Sequence, residues 1–392
     1  MTTKQHWILP EGIEEILPEQ SAKFEAMRRL ILDLYATWGY ELVMPPVIDF
    51  IESLLSGTGH DLDLQTFKLV DQLSGRTLGL RADMTPQVAR IDAHQLQRDV
   101  PTRLCYIDTV LKTRPENIGE SRSPLQIGAE LYGHAGVESE VEIIGLMLQT
   151  FSKLQINNVF LDLGNVDIYR GLAKQAGLSE EVESQLFDML QRKAVTEIND
   201  LLERLSLDAD IKTMLAGLTM LNGDKAVFAK ARALLAKADK TVLDAIDYLE
   251  KTAELCQQQF GDIKMHFDLS ELQGYHYKTG VVFAAFVPQL GQAIARGGRY
   301  DDIGEIFGRA RAATGFSTDL KILNQLSDIQ FPVKEKILAP AGDDEALIDK
   351  VAELRMQGRV VIKQLPGNNA DAAEMGCNKS LCLIDGQWTI KD

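Results

Sequence analysis

From about Asn165 to Gly261 the chain contains no proline, and leucine, alanine, lysine, glutamate and aspartate dominate, with apolar residues at 3.6-type spacing. Such a block reads as an all-helical insertion. Strand-like segments flank it on both sides. Upstream these are "YELVMPPVIDF", Arg76–Thr85, Thr102–Thr113, Ser123–Gly133 and "NNVFLDLG"; downstream they are "KMHFDLSEL" and "KTGVVFAAFV". Pro45-Pro46 suits a strand that runs to an edge or an interface. Helices are expected over about Ser21–Trp38, where Phe24, Met27, Ile31, Leu34 and Trp38 share a face and Gly39 follows as the stop, and over about Glu138–Leu154. The Arg296–Leu323 segment closes the sheet region with a glycine-rich turn and a last helix, Gly315–Leu323. Beyond it, "EKILAPA", a helix over about Asp343–Met356, "RVVIKQL", a short helical stretch and "KSLCLID" read as a small α/β appendage. The expected class is α+β: an antiparallel sheet domain over residues 1–323 with a helical insertion at about 165–261, then a small α/β domain over 324–392.

Composition narrows the function. The 392 residues carry a net charge of -16, which on average repels a phosphate backbone and argues against nucleic-acid binding. No apolar run approaches the roughly 20 residues that span a bilayer, and Met1–Gly12 shows no signal-peptide pattern. Cys105, Cys256, Cys377 and Cys382 form no CxxC pair and have no histidine at ligand spacing, so no metal site is expected. They read as reduced thiols of a cytoplasmic protein.

Four polar clusters carry potential chemistry: Arg81–Thr85, Gln126–Glu130, Gly274–Gly280 and Arg296–Asp301. Gln126 and Glu130, at i and i+4, fall on one strand face. Together the clusters offer two carboxylates (Asp83, Glu130), an amide (Gln126), a hydroxyl (Thr85) and aromatic walls (Tyr275, Tyr277, Tyr300). That set suits a free amino acid: one carboxylate for the α-ammonium, a second or a tyrosine hydroxyl for an imidazole nitrogen, and aromatics for the ring faces. Each piece also has a structural reading. Gly297-Gly298 would be a bulge, Arg299 with Asp301 a local ion pair, and Gln126 with Glu130 part of a solvated strand face.

In this order the segments resemble the catalytic domain of histidyl-tRNA synthetase, a class II synthetase fold, over about residues 6–323. "LPEGIEEILPEQ" resembles that family's opening segment and "GYELVMPPV" its motif 1. "LRADMT" resembles the Arg-Pro-Glu-Gly-Thr element, with Asp83 at its glutamate. "QIGAE" is identical to the motif 2 strand. "GYHYKTGVVF" resembles the Gly-Leu-Asp-Tyr-Tyr-Thr-Gly element, with His276 and Lys278 replacing an aspartate and a tyrosine, and "GGRYD" the second histidine motif.

The departures fall on arginines, whose planar fork would meet phosphate oxygens during adenylate formation. Ungapped, Lys112 stands at the motif 2 arginine, or Leu111 after a one-residue shift, with Arg114 nearby. Motif 3 reads Lys321-Ile322 in place of Glu-Arg, and Gln273 replaces a further arginine. Only 69 residues follow Leu323, where the synthetase carries a larger anticodon-binding domain; this argues against tRNA as a partner. A chain with the amino-acid half of the site and without the ATP half resembles the regulatory subunits of ATP phosphoribosyltransferase. The resemblance implies no catalysis and no cofactor, and a hetero-oligomer with the short-form catalytic subunit built on a synthetase-like dimer or larger assembly. It also implies histidine as feedback effector, held by Asp83, Thr85, Gln126, Glu130, Tyr275 or Tyr277, and Tyr300. The alternatives are a histidyl-tRNA synthetase with an atypical ATP site and a stand-alone histidine-binding paralogue.

Overall fold

The computed structural model describes residues 7–55, 60–115, 121–271, 274–275, 277–332 and 334–391. The first helix, α1 (Pro18–Thr37), buries Phe24, Met27, Ile31, Leu34 and Tyr35 along one stripe, as their spacing dictates. Then follow β1 (Glu41–Leu42), β2 (Ile48–Phe50), α2 (Ile51–Leu54), α3 (His60–Gln65), β3 (Lys68–Val70) and β4 (Thr77–Leu80). Only Thr77–Leu80 of the expected Arg76–Thr85 strand is extended. Pro86, at the start of α4 (Thr85–Arg90), has its φ preset for a helix and loses no needed donor there.

The main sheet is built from β1, β5 (Thr102–Thr109), β6 (Leu125–Tyr132), β7 (Phe160–Asn165), β8 (Asn222–Gly223), β9 (Lys264–Asp268), β10 (Val281–Phe286), β11 (Ala295–Arg299) and β12 (Ala313–Asp319). Its order is β1-β5-β6-β12-β11-β10-β7-β9-β8, and β2-β4-β3 form a separate sheet. Most pairs are antiparallel; β1 with β5 and β7 with β9 are parallel. β1 therefore forms one edge, where Pro45-Pro46 ends the strand without disturbing an inner ladder. On one face lies α5 (Val137–Lys153), buried through Val141, Ile144, Met147 and Phe151. A further cluster of Met84, Val88, Leu104, Tyr106, Tyr132 and Tyr300 seats α4 against the sheet.

Three expectations need correction in this unit. The insertion holds six helices, α6 (Val166–Gln175), α7 (Glu180–Gln191), α8 (Val195–Arg204), α9 (Ala209–Gly217), α10 (Val227–Leu234) and α11 (Lys240–Phe260). It is not all-helical, because Asn222–Gly223 pairs with Phe267 and Asp268 and extends the sheet. Gly315–Leu323 is not one helix. Residues through Asp319 are strand β12, inserted between β6 and β11, and α12 (Leu320–Leu326) begins only after it. Asp319 caps α12 by accepting from Lys321 N at 2.9 Å. Because α12 runs past Leu323 and Ser327 donates to the Leu154 carbonyl at 2.6 Å, the compact unit ends at Ile329, not at 323.

The second unit, Gln330–Asp392, has a four-stranded sheet in the order β14-β13-β15-β16: β13 (Lys336–Ala339), β14 (Val360–Lys363), β15 (Lys379–Ile384) and β16 (Gln387–Lys391). One helix, α13 (Glu345–Met356), packs Leu347, Val351 and Leu354 against Ile337, Val361 and Leu381. The expected short helical stretch after β14 consists of turns. A final hairpin strand, Gln387–Lys391, appears that the alternating pattern left unmarked. No helix among the described residues is long and apolar enough to cross a membrane.

Candidate functional site

A cavity of about 760 Å³ opens on the first unit. It gathers residues distant in sequence: the opening segment at Gly12–Glu14, the β4–α4 junction, β6, the insertion helix α7, the 274–278 segment, and β11 with β12. The antiparallel register explains this convergence, since Gly315 of β12 stands opposite Glu130 of β6.

Glu130 is the best-enclosed acid in the cavity lining, 1% exposed. Its Oε1 accepts from Tyr106 at 2.9 Å and from Thr85 at 3.2 Å, and Oε2 accepts from the Tyr300 hydroxyl. A Cβ at position 315 would overlap Oε2, so the glycine there makes room for the carboxylate. Burial pushes the Glu130 carboxyl well above the usual carboxylate range, against the lowering by the Tyr106 and Thr85 hydrogen bonds, and nearby Asp83 adds to the rise. Burial likewise raises the Tyr106 phenol, and the acidity of Glu130 reinforces it. The Glu130 cage therefore favours a neutral pair until a positive group arrives.

Asp83 forms the second acidic point. Its Oδ1 accepts from Gln126 Nε2 at 2.7 Å, Thr85 N at 3.0 Å and Thr85 Oγ at 3.1 Å, while Oδ2 has no donor among the described residues. Gln126 also accepts from Met84 N at 3.0 Å through Oε1. Both functional ends of the amide are engaged in holding the Asp83 turn. Gln126 and Glu130 are buried, so β6 does not present a solvated face.

The structure thus brings Asp83, Thr85, Gln126, Glu130 and Tyr300 into one hydrogen-bonded network. Tyr275 and Tyr277 line the same cavity but are not equivalent. The Tyr275 hydroxyl donates to Glu183 of α7, and its ring packs on Tyr169 and Phe187 with centroids 5.4 Å and 5.2 Å apart. It joins the insertion to the cavity wall, and its hydroxyl is directed to Glu183. Tyr277 is more open, 37% exposed. Arg299 follows its structural reading: it bonds Asp301 at 3.1 Å and, more closely buried, Glu140 at 2.7 Å. Sequence reasoning overlooked Tyr106, which lies on β5 opposite Gly128 and reaches Glu130 diagonally across the ladder. Lys278, noted in the sequence only as the replacement of a tyrosine, is buried at 5% exposure within the lining.

The other end of the cavity has a different character. Lys321 Nζ donates to Glu14 at 2.7 Å and Ser121 at 3.1 Å, which ties the opening segment to α12. Ile322 lines the wall beside it, and Lys112 and Arg296 are also in the lining. Arg114 is exposed and outside the lining. Arg122 is engaged with the carbonyls of Lys112 and Glu11 at 3.1 Å each. Gln273 and His276 lie outside the described residues, as does the stretch 116–120 of the motif 2 loop. Among the described residues no group of three or more His, Cys, Asp or Glu could hold a metal ion.

Residues 12–323 match the family described as histidyl-tRNA synthetase, and residues 334–391 match the ATP phosphoribosyltransferase subunit HisZ C-terminal domain. Histidyl-tRNA synthetase from Nostoc sp. PCC 7120 shares the fold, with a TM-score of 0.76 at 17% identity over 96% of this chain and 91% of that one. Sheet, insertion and small second domain define a class II, histidyl-tRNA-synthetase-like protein. An ATP phosphoribosyltransferase regulatory subunit of Thioalkalivibrio sulfidiphilus is 58% identical over 394 residues, 100% of both chains, and one of Methylococcus capsulatus is 52% identical over 98% of this chain and 95% of that one. The chain belongs to the family of ATP phosphoribosyltransferase regulatory subunits, and its role in histidine biosynthesis is the regulatory one. A solved structure described as an ATP phosphoribosyltransferase regulatory subunit/histidyl-tRNA synthetase from Bacillus halodurans agrees with a TM-score of 0.82 and 27% identity, over 95% of this chain and 97% of that one.

Proposed function

We propose that this chain is a non-catalytic subunit that binds free histidine in the cavity and passes its occupancy to a short-form ATP phosphoribosyltransferase catalytic subunit in the cytoplasm. The observation that carries this reading is the pairing of two acidic points, caged Glu130 and Asp83 with its open Oδ2, in one cavity whose far end presents Ile322 and an engaged Lys321. Asp83 would take the α-ammonium, Glu130 an imidazole nitrogen, and Tyr277 and Tyr300 would pack the ring. The motif 3 position presents Ile322 and an engaged Lys321 in place of a forked cation, so the α-phosphate charge of adenylate formation is not met from there and bound histidine stays unreacted.

The chain would assemble as a dimer or larger core with catalytic subunits docked on it, and would favour their active conformation. Histidine then shifts the assembly by its difference in affinity for the active and less active states. A coupling of about 1–3 kcal/mol shifts the equilibrium between the two states by roughly 5- to 150-fold, enough for feedback. The rate of phosphoribosyl-ATP formation by a short-form catalytic subunit is expected to rise on adding this chain and to fall again with histidine. Glu130→Ala should keep the activation and lose the histidine effect. Absence of activation would overturn the reading, and histidine-dependent exchange of pyrophosphate into ATP would replace it with a working synthetase.

A further inference from the structure

Lys278 is a buried charge for which the reading above has no task. Its stem lies in a slot floored by two glycines: a Cβ on Gly274 would meet Lys278 Cδ and Cε at 3.0 Å, and one on Gly298 would meet Cδ at 3.2 Å. The slot delivers Nζ to the Gly297 carbonyl at 2.8 Å, within the cavity lining. An ammonium has three donors. The Gly297 carbonyl accepts one and is its one hydrogen-bond acceptor among the described residues, while Glu271 and Asp83 act on the ammonium from nearby. Burial pushes Lys278 down to about 8, against the pull of Glu271 and Asp83, so the ammonium form prevails at neutral pH. Arg296, also in the lining, adds positive potential nearby.

A buried ammonium with open donors is costly unless an anion meets it. Free histidine has three polar ends. The two acids of the cavity suit its ammonium and its ring, and they repel its carboxylate. Lys321 is engaged with Glu14. We propose that Lys278 receives the α-carboxylate of the amino acid bound in this cavity, so that the site recognises the zwitterion and rejects amines and esters of the same side chain. This rests on the reading of the cavity as a histidine site. It gives regulatory sense to the lysine, because a pathway's end product is then separated from the alcohol and ester forms that share its ring.

The test is calorimetric titration of the full chain with histidine, histidinol and histidine methyl ester, in the parent protein and in Lys278→Met, whose stem keeps the glycine slot filled. The parent should bind histidine about 10- to 100-fold more tightly than either analogue, the span expected of a charge-assisted hydrogen bond. Lys278→Met should weaken histidine by that same factor, leave histidinol within about threefold, and so erase the discrimination. A thermal melt without ligand checks that the variant is folded. Equal binding of all three ligands by the parent overturns the inference without any variant. Full discrimination in Lys278→Met, or equal weakening of histidine and histidinol, also overturns it and leaves the histidine reading standing. A parent that binds no histidine overturns both.

Discussion

Glu130→Gln is expected to weaken histidine binding by about 100-fold or more, the loss of a charged hydrogen-bond partner in a dry site, and to change how stability of the empty protein depends on pH. The second effect has an unusual sign for a carboxylate. Burial holds the Glu130 carboxyl above its ordinary value of 4.5, and Asp83 raises it further. A group whose folded pKa is raised contributes stability that is fully present below the unfolded value and is lost as pH rises through the folded one. Between about pH 4.5 and that raised value, the parent protein should therefore lose stability relative to the variant.

Glutamine has a single acceptor oxygen, so one or more of the hydroxyls of Thr85, Tyr106 and Tyr300 would lose a partner, at about 1–3 kcal/mol. That cost is the same at every pH and shifts the two stability curves apart without changing their relative slope. Melting both proteins at pH 5, 6, 7 and 8 separates the two contributions. A gap in melting temperature that stays constant, or that widens in favour of the parent as pH rises, would show that Glu130 is ionised in the empty cavity. Histidine at about 100 times its dissociation constant should add about 2.7 kcal/mol of stability to the parent and almost none to Glu130→Gln at the same concentration.

Much of this site was legible in local sequence, because strand geometry is local. The i, i+4 spacing of Gln126 and Glu130 put both on one face of β6, and the short "LRADMT" turn kept Asp83 and Thr85 together. What failed depended on partners far along the chain. Gly315–Leu323 looked helical because its tail is apolar, whereas pairing with β6 and β11 makes its first half a strand. Tyr275 appeared equivalent to Tyr277 until α7, 92 residues upstream at Glu183, engaged its hydroxyl. Tyr106 showed no motif at all, and only the β5–β6 register brings it to Glu130. Asn222–Gly223 carries no strand pattern and is extended because β9 offers it an edge.

Arg299→Met is expected to cost about 3–5 kcal/mol of unfolding free energy in denaturant titrations. Arg299 and Glu140 are 5% and 0% exposed, with Nε and Oε1 2.7 Å apart. Arg299 also donates to Tyr248 of α11 at 3.2 Å, and Tyr248 donates to Glu140 Oε2 at 2.7 Å. The triad binds the start of α5, the end of β11 and the helical insertion. Burial works against the charge on Arg299, but Glu140 outweighs it and holds the guanidinium up. Removing the arginine leaves Glu140 buried, its carboxyl already pushed up by burial, with Tyr248 as its side-chain partner among the described residues. The penalty is that of an unpaired acid, not the net worth of the pair, so removing both charges should recover most of it. Glu140→Leu with Arg299→Met is therefore expected to lie within about 1–2 kcal/mol of the parent. If the double variant is as unstable as the single one, the triad's geometry, and not its charge balance, is what holds the insertion to the sheet. Tyr300 follows Arg299 in sequence and donates to Glu130, so the single variant should also weaken histidine binding, which the charge-balanced double variant should largely restore.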